Sequence, residues 1–424
     1  MVSVWFGVLV AVLAVAYWRL ASRNVPGSVV VLAFEYLSRP HQNVEPGHRF
    51  TEINKPYAWN GSYMAAHPEI WSDVLSLEEQ KSVHESVLNF EKLNKSMEEM
   101  TKEDFVFAPE ILKKFEQWKY QLGPDGRGFQ VIRAVPVHLW TMKQCEVFYW
   151  AFGKYLGLPG AQDSAGNLLG HVIDVGPTNV TERPYRTKED IAYHCDGSDI
   201  VGLLCINGAK SGGESRIISS VAVYNQLLRQ GHPRAQQYIE RLFGRILLFT
   251  RKTFGLAAYF PVHPLRLDSR GTLRTYWNQE YYLRSYRHAE NGSLTAFGEA
   301  DPFALEAISA YDDILNRDLR KELPPGEELG LSMSLQQGDI QLISNHYILH
   351  ARTEFVDYSQ DEIAESKRAL GLAPDAIGPV GKRDLLRLWV SHDNRDMPWD
   401  LYLAKQVDFA RVLAGFVEGV IYYR

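Results

Sequence analysis

Apolar positions along this chain recur with two periods, and each period predicts its own elements. From Leu75 to Leu93 they return every three or four residues, with Glu, Gln and Lys between them, which predicts a helix. Leu139–Leu156 repeats that spacing with Trp140, Phe148, Trp150 and Phe152 as core residues, and Pro302–Arg320 gives a further amphipathic helix. Ser220–Arg229 reads as a helix with a serine N-cap, Ser220, at its start. Ile191–Ile206, by contrast, lacks helical periodicity and ends in Val, Leu and Ile, as a strand does. Ile340, Leu342 and Ser344 alternate as a strand that follows the turn signal Gly338-Asp339.

The ends of the chain follow neither pattern. Val2–Trp18 is apolar except for Ser3 and Gly7. At about 1.5 Å per residue such a helix reaches roughly 26 Å, near the lower limit for crossing a bilayer. Arg19 and Arg23 follow it and no basic residue precedes it, so the positive-inside rule places the rest of the chain in the cytosol. The expectation is a single-pass membrane protein, in the endoplasmic reticulum, with a membrane contact through this helix. Ala14-Val-Ala16 leaves a cleaved signal peptide open, and a buried core helix is a third reading. The sequons at Asn60, Asn94, Asn179 and Asn291 keep a lumenal placement open. Leu401–Tyr423 reads as a terminal helix, packed on the core or lying on a membrane surface or partner. Three cysteines are too few for a disulfide framework, and a net charge of −6 without a basic stripe gives no case for nucleic acid. Four segments are expected: an anchor at 1–23, a helical extension at 24–120, a catalytic domain at 121–400 and a C-terminal helix at 401–424.

Candidate chemistry begins with His194 and Asp196. On an extended chain, residues two apart point to the same face about 7 Å apart at the backbone, so both side chains can share one small cation. Cys195 between them faces the other way and is excluded as a ligand. Asp199 reads as a turn or solvent-facing carboxylate. A second histidine further along, His346 or His350, would complete a two-histidine, one-carboxylate set, the facial arrangement of non-haem Fe(II) oxygenases. A 2-oxoglutarate enzyme also needs a buried cation for the far carboxylate of that diacid, and arginine matches a carboxylate best. Arg383 and Arg387 are four apart in an otherwise apolar run and share a strand face. An edge strand with solvated basic residues is the bland alternative.

With these residues in view, the chain resembles the taurine dioxygenase and clavaminate synthase-like family of Fe(II)/2-oxoglutarate-dependent dioxygenases. The resemblance runs from about His171 to Ser391. It rests on His194-Cys-Asp196, on Ala209-Lys-Ser-Gly-Gly-Glu-Ser215, on Gly338-Asp339-Ile340 with Asn345, on Leu349-His350-Ala-Arg352 and on Arg383-Asp-Leu-Leu-Arg387. It implies His194, Asp196 and His350 as ligands of iron, with His350 preferred to His346. It implies Ser215 as the hydroxyl that helps hold 2-oxoglutarate, where the family has threonine. Arg383 then falls on the far carboxylate and Arg387 on the adjacent wall.

The fold implied is α+β, a double-stranded β-helix (jelly-roll) core with flanking helices, plus the N-terminal transmembrane helix. The reaction implied consumes dioxygen, decarboxylates 2-oxoglutarate to succinate and oxidises a C–H bond of a small organic molecule, by default through hydroxylation. An anchor would suit a lipophilic intermediate. Tyr193, Tyr276, Trp277 and Tyr281 are candidates for the substrate pocket, and ordinary core packing explains such aromatics equally well. Hydroxylation of a protein or peptide side chain is the second reading and a jelly-roll binding protein without catalysis the third. A metallohydrolase with the same ligands would leave Arg383 and Ser215 without a task.

Overall fold

A computed structural model describes residues 41–391, apart from 43, 161–166, 177–186, 197, 245, 250–258, 269–270, 291–301 and 374. Two sheets carry the site. Their strands, in chain order, are β1 (Ser72–Val74), β2 (Phe129–Arg133), β3 (Leu158–Gly160), β4 (Gly170–Val172), β5 (Ile191–His194) and β6 (Ile200–Asn207). Then come β7 (Ser215–Ser219), β8 (Gly330–Met333), β9 (Ile340–Ser344), β10 (Ile348–Arg352) and β11 (Asp384–Ser391). The larger sheet runs β1-β2-β9-β6-β11-β3, with β4 also paired to β11, and the smaller runs β8-β7-β10-β5. Every pair is antiparallel except β1 with β2. Strands close in space are therefore distant in sequence, as in a double-stranded β-helix.

Side-chain parity assigns the two faces of the larger sheet. Ile200, Leu204 and Ile206 of β6, Ile340 and Leu342 of β9, and Leu386, Leu388 and Val390 of β11 face one helical layer. That layer consists of α1 (Leu77–Glu91), α2 (Pro109–Leu122) and α3 (Met142–Leu156). Residues before 121 thus enter the architecture directly, through β1 in the sheet and α1 and α2 against it. Val201, Ile343 and Trp389 take the opposite parity and face a second core shared with the smaller sheet. That core also holds α4 (Ser220–Arg229), α5 (Ala235–Phe243) and α7 (Pro302–Leu319), with α6 (Gln279–Glu290) lying between α5 and α7 in sequence. The sequence periodicity locates α1, α3, α4 and α7, while α2, α5 and α6 were not anticipated from it. Ser76 and Thr141 close capping boxes with Glu79 and Gln144, which fixes where α1 and α3 begin. Trp140, Phe148, Trp150 and Phe152 are all buried.

Three expectations are corrected. The N-cap of α4 is Ser219, whose hydroxyl accepts from the Ala222 N–H, while Ser220 is the first helical residue. Asp199 does not face solvent: it is fully buried, its carboxylate 2.6 Å from His346 Nε2. The third correction concerns the membrane. Among the described residues no helix is long and apolar enough to cross a bilayer. The longest described helix, α7, carries Glu306, Asp312, Asp313, Arg317 and Asp318, charges that would be costly in hydrocarbon. The transmembrane helix, the single-pass reticulum placement facing the cytosol, and the lipophilic substrate inferred from them are withdrawn. Val2–Trp18 itself lies outside the described residues, as does Leu401–Tyr423.

Candidate metal and cosubstrate centre

His194 ends β5 and His350 lies directly opposite it on β10. Opposed residues of an antiparallel pair share a face, so the register alone brings the two imidazoles together. Their ring centroids are 4.2 Å apart. Asp196, two residues beyond His194, closes the group: its Oδ1 is 3.9 Å from His194 Nε2 and its Oδ2 3.8 Å from His350 Nε2. One ligand atom from each of the three lies within 4.8 Å of the others. Among the described residues this is the one such cluster of three or more His, Cys, Asp or Glu side chains.

The surroundings fit a divalent cation. His194 Nδ1 lies 2.9 Å from the Ala192 carbonyl, and donating to it leaves the Nε2 lone pair aimed at the cluster. His350 is pushed down to about 3 by burial and by the neighbouring His194 and Arg387, against the pull of Asp196, so it stays a neutral donor. Burial alone would raise the Asp196 carboxyl. Arg387, His350, His194 and the Trp389 indole outweigh burial and hold it well below the usual carboxylate range. Two imidazoles and one carboxylate form the donor set that suits iron(II).

Asp196 is held from two directions. Asn345 accepts from its backbone N–H at 3.0 Å and donates to the carbonyls of Asp196 and Ser198 at 2.6 and 2.7 Å. From β11, Trp389 Nε1 donates to Asp196 Oδ2 at 3.0 Å and Arg387 Nη1 at 3.3 Å. Strand parity puts both β11 side chains on the inner face. Trp389 is the residue that sequence reasoning passed over, having served there only as apolar padding for the arginines. Its spacing of two from Arg387, which puts both side chains on one strand face, was the available signal. His346 sits in the turn between β9 and β10, where its ring meets Asp199 instead of the cluster. Cys195 turns away and offers its thiol to the carbonyls of Asn345 and Thr275.

Arg383 lies just before β11 and is buried, with Phe355 5.0 Å from its guanidinium. Its Nη1 and Nη2 reach the carbonyls of Val172 and Gly213 only at 3.5 Å, the limit of a hydrogen bond. A buried guanidinium so loosely satisfied fits a carboxylate guest. Gly213 has φ +70°, and a Cβ there would stand 2.9 Å from Arg383 Nε, so the backbone at Gly213 is shaped around this side chain. Ser215, buried on β7, donates to Gln341 Oε1 at 2.8 Å.

The four aromatic candidates divide. Tyr193 is buried and donates to Asp318 Oδ2 at 2.9 Å. Trp277 is fully buried, packed 4.4 Å from the Tyr311 ring, and its carbonyl accepts from the Cys195 N–H. Tyr276 and Tyr281 are partly buried at the edge of the same core. The three cysteines are free and buried.

A double-stranded β-helix that carries a His/Asp/His cluster on facing strands defines a class, the non-haem iron oxygenases that use 2-oxoglutarate. Residues 94–369 match the family model described as taurine catabolism dioxygenase TauD, TfdA family, and the chain belongs to that family. It is a 2-oxoglutarate-dependent non-haem iron dioxygenase, with Fe(II) as cofactor and 2-oxoglutarate and dioxygen as cosubstrates. FR-33289 synthase of Streptomyces rubellomurinus is 27% identical over 65% of this chain and 73% of its own length. The taurine hydroxylase-like protein SAT17 of Stachybotrys chartarum is 25% identical over 54% of this chain, which spans only 57% of that protein. Among solved structures, asparagine oxygenase with Fe(II), 3-hydroxyasparagine and succinate superposes with a TM-score of 0.54 at 15% identity, over 76% of this chain and 93% of its own. The non-haem iron oxygenase OrfP with Fe and α-ketoglutaric acid gives 0.51 at 15% identity, over 76% and 94%. At that identity the two structures speak for the fold alone.

Proposed function

We propose that this dioxygenase hydroxylates a small organic molecule, with His194, Asp196 and His350 as the iron ligands and Arg383 and Ser215 as holders of 2-oxoglutarate. The observation that carries the ligand assignment is the convergence within 4.8 Å of three donor atoms, two from facing strands and one from just beyond the end of β5. Bound there, iron supplies the redox chemistry that couples decarboxylation of 2-oxoglutarate to oxidation of a substrate C–H bond. The chain's own residues set the geometry. The Ala192 carbonyl fixes the His194 tautomer, Asn345 fixes the backbone under Asp196, and Arg387 and Trp389 keep that carboxylate ionised and oriented. Burial keeps His350 unprotonated. The guanidinium of Arg383 matches the far carboxylate in bidentate geometry.

A small substrate is supported by the name of one relative, since taurine is a small molecule. The test is formation of succinate by the purified full-length protein, dependent on Fe(II) and on 2-oxoglutarate. His194→Ala and His350→Ala should abolish it, with His346→Gln retaining it. Undiminished turnover in His350→Ala would refute the ligand set. Comparing metabolites in cells with wild-type and His194→Ala protein then identifies the substrate.

A further inference from the structure

Arg352, two residues after His350 on β10, is a second buried guanidinium with unused donors. It is buried, and neither its Nε nor its Nη1 finds a hydrogen-bond partner among the described residues. Its Nη2 is occupied, donating to the carbonyl of Thr187 at 2.8 Å and to that of Glu189. The acids near enough to act on it electrostatically are Asp174 and Asp190, and neither hydrogen-bonds to it. Arg352 shares a strand face with His350, and its partner across the strands is Ser215. The ring of Phe355 lies 4.9 Å from its guanidinium and 5.0 Å from that of Arg383. Two like charges gathered at one ring repel each other, and buried donors without acceptors cost free energy. An anion between them would remove both penalties.

We infer that Arg352 is a second cosubstrate-binding residue, one of whose open donors takes an oxygen of the far carboxylate that Arg383 also holds. This rests on Arg383 being that carboxylate's anchor. The arrangement has a consequence for the metal centre. Through Nη2, Arg352 is fastened to residues 187–189, and the Phe355 N–H is fastened to the Lys188 carbonyl at 3.1 Å. That segment leads directly into β5 and His194. A diacid seated on Arg352 therefore stiffens the strand that delivers an iron ligand.

The experiment compares 2-oxoglutarate with 2-oxopentanoate, which has the same chain without the far carboxylate. Calorimetric titration of the full-length, Fe(II)-loaded protein without oxygen gives the Kd of each. Arg352→Gln should raise the Kd of 2-oxoglutarate about tenfold or more and leave that of 2-oxopentanoate within about twofold, with Arg352→Lys recovering part of the loss. Equal weakening of both ligands, or an unchanged Kd for 2-oxoglutarate, would overturn the proposal. Arg383→Gln separates the two assignments. If it keeps the full preference for 2-oxoglutarate, the anchor reading itself has failed; if it loses that preference while Arg352→Gln retains it, only the role of Arg352 has. Should Arg352→Gln not fold, a wild-type structure with 2-oxoglutarate decides. A carboxylate oxygen within about 3.2 Å of Arg352 Nε or Nη1 supports the assignment, and water alone at both donors overturns it.

Discussion

Trp389→Phe isolates a single hydrogen bond to the metal-binding carboxylate. The indole donates to Asp196 Oδ2 at 3.0 Å, and its ring lies 4.5 Å from the Arg387 guanidinium. Phenylalanine keeps an aromatic face for Arg387 and deletes the donor. Hydrogen bonds to charged groups contribute about 1.5–3 kcal/mol. Independently, losing a group that orients a metal ligand weakens metal binding about 10–100-fold, or about 1.4–2.8 kcal/mol. The two ranges coincide, so Fe(II) affinity should fall by about one to two decades. Arg387 still donates to the same oxygen at 3.3 Å, which keeps Asp196 ionised and the loss short of complete. Anaerobic competition between the protein and a chromophoric chelator reads the affinity, and circular dichroism confirms that the fold is retained. An Fe(II) affinity within about threefold of wild type would refute the idea that Trp389 orients Asp196.

Other perturbations probe the supports around the centre. Asn345→Ala removes three hydrogen bonds that set the backbone at Asp196 and Ser198, and should cost about 2–4 kcal/mol in urea unfolding together with a weakened metal site. Gly213→Ala forces a Cβ to within 2.9 Å of Arg383 Nε at φ +70°, so stability should fall by about 1–2 kcal/mol and the KM for 2-oxoglutarate should rise; an unchanged KM would detach Gly213 from the cosubstrate site. His171, held between Asp384 and Glu146, is raised from 6.5 to about 10 by those two carboxylates against burial. Its stabilising contribution is complete below the unfolded value of 6.5 and disappears as pH rises through about 10. The side chain is about a third exposed, so screening leaves about 1–2 kcal/mol, and His171→Gln should flatten the stability decline between pH 7 and 10 by that amount. Parallel wild-type and variant curves would show that the ion pair contributes nothing.

Much of the architecture was legible because local physics is periodic. The helices at Leu77–Glu91, Met142–Leu156 and Pro302–Leu319 follow from a repeat of 3.6 residues, whereas the capping boxes that start the first two were not read from the sequence. The pairing of His194 with Asp196 and the turning of Cys195 away from them follow from a repeat of two. Arg383, however, lies just before β11, across a register shift at Asp384 and Leu385, so the expected shared strand face with Arg387 does not apply. Partner choice has no such signature. Asp199 looks like any loop acid until folding seals it against His346, and Trp389 looks like one more apolar residue in an apolar strand. The apolar run Val2–Trp18 supported a membrane reading on pattern alone, and no described helix supports it.

The chain by itself determined which residues could share a face, which stretches coil or extend, and which side chains had the chemistry to bind iron and a diacid. Only the tertiary structure decided that His350 and not His346 stands opposite His194. That choice depends on the register between strands separated by most of the domain. Register is fixed by the burial of whole sheet faces, a collective quantity that no local window of residues contains.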